Sequence, residues 1–314
     1  MHLSDRIGRR LSLHDLHVLM AVVQAGSMNK AAALLNTGQS AISRSIADLE
    51  HAIGVPLLER TPQGVTPTEY GRALLSGGTA VFDDLRQAVK SIEFLVDPTA
   101  GEVRVGSTIP LAASFVYAVI ERLSRRYPRI VFSLATAQQN ALQRELCDRS
   151  LDLLIAWHRA PEADERLTFE FLYDDSYVVV AGAQNPWTRR RKIQLAELVS
   201  ESWTLPPPDT VLGAAVTEAF RASGLQCPRA AVVTLPGEVR TKLLATGRFL
   251  TIFPASALIF SAERPTLKVL PVELPLGRLP VGMMTLKGRT LSPVAQLFVD
   301  TAREVAKPLV RRKR

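Results

Sequence analysis

The stretch GQSAISRSIADLE, residues 38–50, combines a regular apolar stripe with small polar residues. Its apolar positions Ile42, Ile46 and Leu49 recur at spacings of four and three residues, which predicts the buried face of an α-helix that starts near Gln39. At about 100° per residue, the opposite face carries short, hydrogen-bonding side chains. These outward positions are Ser40, Ser43, Arg44 and Ala47.

This outward face is not typical of a helix that meets only water. Such faces are commonly rich in Lys, Glu and Gln, because long charged side chains favour helix formation and solubility. A helix that enters the DNA major groove, about 12 Å wide, instead needs short side chains and a few hydrogen-bond donors. The pattern favours DNA binding, and the alternative is an ordinary three-helix packing unit. The candidate base-reading residues are Gln39, Ser40, Ser43 and Arg44.

Two helical segments precede this helix. The first has one apolar face, formed by Leu16, Leu19, Met20 and Val23, and ends before Gly26. Ser27 is placed to cap a second, short helix with a small apolar surface. That surface consists of Ala31, Ala32, Leu34 and Leu35. Together with the helix from Gln39, this order predicts a helix-turn-helix, whose second helix reads bases.

A hairpin of the size of a wing follows. Residues 56–60 and 64–66 are extended runs on either side of a turn signal at Pro62 to Gly64. Arg60 and Gln63 would reach phosphate or the minor groove from such a wing, and the alternative is a plain connector with a solvated Arg60. Thr66 and Glu69 then have the spacing of a capping box, which predicts the start of another helix.

That helix is predicted to run from about residue 68 to 96 and to carry one apolar stripe. The stripe alternates spacings of four and three residues, as in a coiled-coil seam. A two-fold dimer would cover it and would present two reading helices to two half-sites. The alternative is that the C-terminal part of the same chain covers it. The stripe consists of Leu74, Gly78, Val81, Leu85, Ala88, Ile92 and Leu95.

Composition limits the classes of protein that fit. The chain has 314 residues with 47% apolar content, enough for several units with a core. Cys147 and Cys227 match no metal-ligand or CxxC spacing, which predicts packed thiols in a reducing compartment. We expect a cytoplasmic protein, because residues 1–11 show no apolar signal-peptide core and no run of about 18 apolar residues occurs.

The net charge of +8 does not itself indicate DNA binding. Residues 1–72 hold seven Lys and Arg against six Asp and Glu, which leaves +1 for the predicted DNA-binding region. The excess lies largely in two basic runs, residues 189–192 and 311–314. Such runs are usually solvated loops and frayed tails, so the DNA hypothesis depends on the helix pattern and not on total charge.

Residues 25–71, from AGSM to TEYG, resemble the winged helix-turn-helix of LysR-type transcriptional regulators without a gap. The resemblance continues through the linker helix and, more loosely, over the rest of the chain. It implies a transcriptional regulator that binds double-stranded DNA, forms a dimer or tetramer, and carries a C-terminal effector-binding domain similar to periplasmic binding proteins. RNA polymerase is a further candidate partner, and no cofactor is implied.

The resemblance assigns DNA-contacting positions in this chain. Gly38 departs from the family pattern, where Ser or Thr is common, and Ser40 stands where Pro is frequent. Gln63 occupies a wing-tip position that is often basic, which predicts weaker nonspecific DNA affinity. The assigned positions are Asn29, Lys30, Gln39, Ser40, Ser43, Arg44, Arg60 and Thr68.

The remaining two thirds of the chain alternate strand-like and helix-like segments, which predicts α/β architecture with a largely parallel sheet. The expected divisions are residues 1–68 for the DNA-binding domain, 69–97 for the linker helix and 98–314 for the effector domain. By the resemblance, the effector domain comprises subdomain I, about 98–170 and 266–314, and subdomain II, about 171–265.

Ligands in open α/β sheets bind where strands end and helices begin. Ser107 and Thr108 lie at such a junction, where they either hold a carboxylate or simply cap the helix. Gln138 and Gln139, after the second strand, are weaker candidates. By the resemblance, the opposite wall of the cleft is formed by Thr204, Leu205, Thr234, Phe253 and Pro254.

No enzymatic activity is expected. His158 and Asp152 have no accompanying nucleophile, and neither a Walker loop, a GxGxxG motif nor a metal cluster occurs in the sequence. A solute-binding protein of the transport type is the alternative from another class, because the C-terminal part alone is compatible with it.

Overall fold

The computed structural model describes residues 11–61, 64–158, 164–260 and 266–311. The chain forms two compact units, residues 1–89 and 90–314, which we describe separately. Within the described ranges, no helix is long and apolar enough to cross a membrane.

The first unit begins with three helices, α1 (Leu13–Ala25), α2 (Met28–Leu34) and α3 (Gln39–Ile53). Ser12 and Asp15 form a capping box at the start of α1, and Gly26 ends that helix in the left-handed conformation. Ser27 caps α2 as expected, by accepting a hydrogen bond from the Lys30 N–H. The three predicted helices are therefore confirmed.

The three helices enclose one small core. Leu34, expected in the packing surface, is instead 59% exposed, whereas the α3 stripe is buried as predicted. A polar contact also joins α3 to α1, because Ser45 Oγ donates to Asp15 Oδ1 at 3.0 Å. Burial alone would raise the pKa of Asp15, but hydrogen bonds from Ser12 and Ser45 outweigh burial and lower it. The core residues are Val18, Leu19, Ala21, Val22, Ala31, Ala32, Ile42, Ile46, Leu49 and Leu57.

The wing is an antiparallel hairpin of β1 (Leu58–Thr61) and β2 (Gly64–Pro67). Glu50 Oε1 fixes the start of β1 to α3 by accepting the N–H groups of Leu57 and Leu58 at 2.7 and 3.1 Å. Gly64, with φ of 134°, packs so closely on the α1–α2 turn that a Cβ there would lie 2.5 Å from the Gly26 carbonyl oxygen. Both the conformation and the contact therefore require glycine at this position.

A long helix, α4 (Glu69–Val96), follows the wing. The predicted stripe along it divides into two parts. Leu74 and Gly78 pack against the three-helix core of their own unit. Beyond Gly78 the stripe is exposed, with Val81, Leu85 and Ile92 at 45%, 49% and 62% of their accessible surface.

The second unit contains the remaining elements. Its strands are β3 (Ala100–Ser107), β4 (Arg129–Thr136), β5 (Leu153–Trp157), β6 (Leu167–Asp175), β7 (Tyr177–Gly182), β8 (Thr204–Leu205), β9 (Val232–Val233), β10 (Leu250–Pro254), β11 (Leu267–Val269) and β12 (Leu279–Leu286). Its helices are α5 (Ile109–Leu111), a π turn (Ala112–Val116), α6 (Tyr117–Arg126), α7 (Gln139–Cys147), α8 (Val211–Ala222), α9 (Gly237–Ala245), α10 (Ala255–Ile259) and α11 (Pro293–Arg311), with 3₁₀ turns at Pro186–Arg189 and Leu195–Leu198.

Subdomain I is built on a five-stranded sheet in the order β4-β3-β5-β12-β6. Helices cover both faces of the sheet, and alternate residues of β5 accordingly enter two different cores. Leu153 and Ile155 pack with α6 and α11, whereas Leu154 and Ala156 pack with Leu142 of α7. The expectation of a largely parallel sheet holds for β3, β4 and β5, but β12 runs antiparallel to both of its neighbours.

Subdomain II is built on the three-stranded antiparallel sheet β10-β7-β11, with the parallel pair β8 and β9. Trp203 lies in its core, where its indole N–H donates to the Leu198 carbonyl at 2.8 Å and its ring meets Phe220 edge-on. The strands in each sheet show that the chain crosses between the subdomains at later residues than expected. β6 stays in the first sheet to Asp175, and β11 belongs to the second sheet, although the expected crossings were near residues 171 and 265.

Asp175 joins the first crossing segment to α10. It ends β6, and its side chain, 3% exposed, reaches the start of α10, which follows β10 of subdomain II. Asp175 Oδ1 accepts the N–H groups of Ser176 and Ser256 at 2.9 and 3.1 Å, and Ser256 Oγ donates to Oδ2 at 2.6 Å. Burial nevertheless raises the pKa of Asp175 above its ordinary value of 3.8.

The substitution Asp175→Asn tests this tie, because an amide keeps the hydrogen-bonding shape without the charge. Since the folded-state pKa of Asp175 is raised, the folded wild type loses stability relative to the variant as pH rises from about 3.8 through that folded value. We expect the difference in free energy of unfolding, variant minus wild type, to grow as the pH rises. The total growth should be about 1.4 kcal/mol for each unit by which folding raises the pKa of Asp175. Urea denaturation over a pH series measures it. The exposed Asp148→Asn is the control, and a difference that stays flat with pH would contradict the assignment.

Candidate functional site

The outward face of α3 presents the polar residues that the sequence places there. Gln39, Ser40 and Arg44 are exposed, and Ser43 is half-buried. Gln39 Nε2 donates to Ser43 Oγ at 3.0 Å, so these two side chains are already ordered on one face. A surface of short donors and one guanidinium at the start of a helix has the chemistry needed to contact base edges and phosphates.

The elements around α3 add further polar groups. Gly38 is the N-cap residue of α3 and, as the sequence predicts, supplies no side-chain cap. Asn29 and Lys30 are exposed in the first turn of α2. Arg60 lies in β1 opposite Val65, but its side chain and the whole of Gln63 lie outside the described residues.

Thr68 requires a correction. Its side chain is buried, and its Oγ1 donates to the Pro56 carbonyl at 2.8 Å while accepting the Gly71 N–H at 3.0 Å. Thr68 therefore caps α4, the role that the sequence gave to Thr66, and we remove it from the proposed DNA contacts.

The predicted cleft residues of subdomain I divide into two roles. Ser107 is fully buried, and its Oγ donates to the Ile155 carbonyl at 3.0 Å, so it joins β3 to β5 instead of facing a ligand. Thr108 precedes α5 without making a side-chain cap, and its buried Oγ1 has no hydrogen-bond partner. Gln138 is exposed at the N-cap of α7, also without a side-chain cap.

The residues expected from subdomain II lie at the ends of its strands. Thr204 is fully buried at β8, and its Oγ1 has no partner, whereas Leu205 packs in the hydrophobic core and is not a polar contact. Thr234 is half-buried, and its N–H donates to the Leu205 carbonyl. Phe253 and Pro254 are buried at the end of β10.

The sequence analysis missed Arg240, on α9, which is only 2% exposed. Its guanidinium lies over the ring of Phe253, 4.3 Å from the ring centre. A signal was present, because Arg240 precedes the buried Leu244 by one helical turn and therefore shares its inward face.

The remaining reactive groups serve structural roles. Asp152 is buried and pairs with both Arg104 and Arg289 at 3.0 Å, so it is not poised as a catalytic base beside His158. Burial raises the pKa of the free thiols of Cys147 and Cys227. Within the described part of the chain, no group of three His, Cys, Asp or Glu residues is placed to hold a metal.

A winged helix-turn-helix with an exposed polar reading helix, followed by two α/β subdomains, defines a DNA-binding regulator with a sensor domain. Two family models match the chain. The "Bacterial regulatory helix-turn-helix protein, lysR family" model matches residues 13–72, and the "LysR substrate binding domain" model matches residues 97–307. The chain belongs to the LysR family of transcriptional regulators.

Individual relatives and solved structures match almost the whole length of this chain. The transcriptional regulator GbpR of Azospirillum brasilense is 28% identical over 96% of this chain and 89% of its own length. A full-length variant of OxyR from Pseudomonas aeruginosa shares the fold with a TM-score of 0.65 at 21% identity, covering 95% of this chain and 97% of its own. CbnR complexed with its target DNA has a TM-score of 0.53 at 20% identity, covering 94% and 100%.

These findings establish the class of function. The chain is a transcriptional regulator with an N-terminal DNA-binding domain and a C-terminal effector-binding domain. The alternative of a transport-type solute-binding protein is wrong, because the relatives are named regulators and the helix-turn-helix is present. The family is one of regulators and not of enzymes.

The corrected role of Thr68 is testable with the substitution Thr68→Val. We expect the free energy of unfolding of the first unit to fall by about 1–3 kcal/mol, because the helix cap is lost and the Pro56 carbonyl is left unpaired. Thermal unfolding followed by circular dichroism measures the loss. Thr66→Val, at the exposed neighbouring position, is the matched control. A direct DNA contact would instead lower DNA affinity at temperatures where the Thr68→Val protein remains fully folded.

Proposed function

We propose that this regulator reads a two-half-site operator by inserting α3 into the major groove of each half-site. The observation that carries the proposal is the division of α3 into a buried apolar stripe and an exposed face of short donors. Recognition helices of helix-turn-helix proteins read bases with their N-terminal residues, which here are Gln39, Ser40, Ser43 and Arg44. Asn29, Lys30 and Arg60 are proposed backbone contacts. The structural likeness to CbnR, solved with its target DNA, supports this arrangement.

The substitution Arg44→Ala tests the reading role. Operator affinity should fall by about 1–3 kcal/mol if the guanidinium contacts a base, whereas affinity for random DNA should fall much less. Fluorescence anisotropy on both DNAs at one salt concentration measures the two losses. Arg86→Ala removes the same charge from an exposed side chain of α4 and is the control. Equal losses on the two DNAs would assign Arg44 to phosphate positioning.

We also propose that α4 pairs two subunits. Its exposed stripe continues the buried part of the same helix face, and an apolar stripe of this kind needs a covering partner. A second copy is the partner that the proposed operator requires, because two reading helices must be presented together. The large exposed apolar residues on this face are Val81, Leu85, Ile92 and Leu95 of the predicted stripe, with Val89 and Val96 beside it.

The substitution Leu85→Lys should separate the subunits, since it places a charge in the middle of the stripe. Sedimentation velocity measures the mass, which should shift toward the monomer. Ser76→Lys adds the same side chain at an exposed position of α4 outside the stripe and should leave the mass unchanged. An unchanged mass for Leu85→Lys would refute the seam.

The C-terminal unit is proposed to bind its small-molecule effector between the two subdomains, near Thr108, Thr204, Thr234 and Phe253. An effector acts on DNA binding only if its affinity differs between two arrangements of the oligomer. Selecting the genomic fragments that the full chain binds identifies the operator, and the neighbouring genes indicate the effector. A chain that enriches no fragments would overturn the proposed function. We propose a cytoplasmic location, because the target is DNA, and RNA polymerase as a candidate partner.

A further inference from the structure

Arg240 is buried without a counter-charge. Its guanidinium lies between α9 and β10, and among the described residues no carboxylate pairs with it. Its two hydrogen bonds both come from Nη1 and are long, at 3.4 Å to Thr251 Oγ1 and 3.3 Å to the Ile252 carbonyl. Its Nε is buried with no partner. The Nε donor is therefore unsatisfied, and the two bonds from Nη1 are weak.

Such burial is costly unless a negative charge compensates it. Burial lowers the pKa of Arg240 to about 10, so the side chain still carries its charge at neutral pH. The face of the Phe253 ring provides only partial compensation. The cost indicates that the arginine is retained for something other than packing.

Another buried arginine in the same unit shows how a structural guanidinium is satisfied here. Arg289 pairs with Asp152 at 3.0 Å and also donates to the Leu151 carbonyl. Arg240 has no equivalent of Asp152, although its side chain is buried as well. The difference points to a partner that is not part of the chain.

The groups around Arg240 suit an anion. Thr251 Oγ1 connects Arg240 to β8, because it donates to the Thr204 carbonyl at 2.6 Å. The adjoining Thr204 hydroxyl is buried with no partner. α9 begins at Gly237 without a side-chain cap, so N–H groups of its first turn are not satisfied by a neighbouring side chain. A guanidinium, an orphan hydroxyl and an uncapped helix start are all complementary to negative charge.

We propose that the effector of this regulator is a carboxylate whose negative charge pairs with Arg240, with the Thr204 hydroxyl as a second contact. The planar guanidinium matches a carboxylate in two parallel hydrogen bonds, which gives specificity as well as affinity. This inference rests on the proposed effector-binding function and names the chemical class of the ligand.

Thermal unfolding of the full chain with acetate as the probe tests the proposal. We expect 100 mM sodium acetate to raise the unfolding temperature of wild type by about 2 °C or more over the same concentration of sodium chloride, whereas neutral acetamide added to the chloride buffer gives no rise. In Arg240→Met the acetate-specific rise should disappear. The unfolding temperature of this variant in chloride should equal or exceed that of wild type, because an uncompensated buried charge is gone.

Arg248→Met is the matched control, because Arg248 is exposed beside the Phe249 ring in the same subdomain. It should keep the full response to acetate. The proposal is overturned if wild type shows no preference for acetate over chloride, or if Arg240→Met keeps that preference. A marked loss of stability of Arg240→Met in chloride would also overturn it, since the arginine would then be structural.

Failure here is distinguishable from failure of the proposed function. Wild type and Arg240→Met should enrich the same genomic fragments in chloride buffer, since Arg240 lies outside the DNA-binding unit. Shared enrichment without an acetate response would leave a regulator whose effector is not held by Arg240. An acetate response without enrichment would support the anion site and reject the operator-binding proposal.

Discussion

The narrow apolar stripe of α3 determines the arrangement of the whole N-terminal unit. Ile42, Ile46 and Leu49 can be buried on only one side, so the helix has one permitted rotation against α1 and α2. The Ser45–Asp15 hydrogen bond favours that rotation, and Glu50 then holds the wing in place from the same helix. The polar face therefore remains exposed, since the other sides of α3 pack against the rest of the unit.

The C-terminal unit follows from a chain that leaves one sheet and later returns to it. β3, β4 and β5 are parallel because helices connect them, whereas β12 enters between β5 and β6 from the other subdomain and runs in the opposite direction. Asp175, at the outgoing crossing, is joined to α10 by two hydrogen bonds from Ser256.

Periodicity predicted the elements that have a strong local pattern, such as α3 and α4. The strands β6, β8 and β11 have no such pattern, because their short or irregular stretches become strands only where a neighbouring strand pairs with them. Thr68 and Ser107 were assigned to ligand contacts because residue type alone does not show that Pro56 and Ile155 carbonyls accept from their hydroxyls. Arg240 was missed for the opposite reason, since a charged residue is ordinarily assumed to be solvated.

The π turn at Ala112–Val116 has a consequence for how this fold diversifies. It places one additional residue within the helical segment between Thr108 and α6, and a single residue changes helical phase by about 100°. The helix end in the hydrophobic core can stay fixed while the end beside Thr108 rotates. Insertion or deletion of one amino acid there would thus turn the residues beside Thr108, and it would also have to repack Phe115 and Val116, which the turn buries in the core.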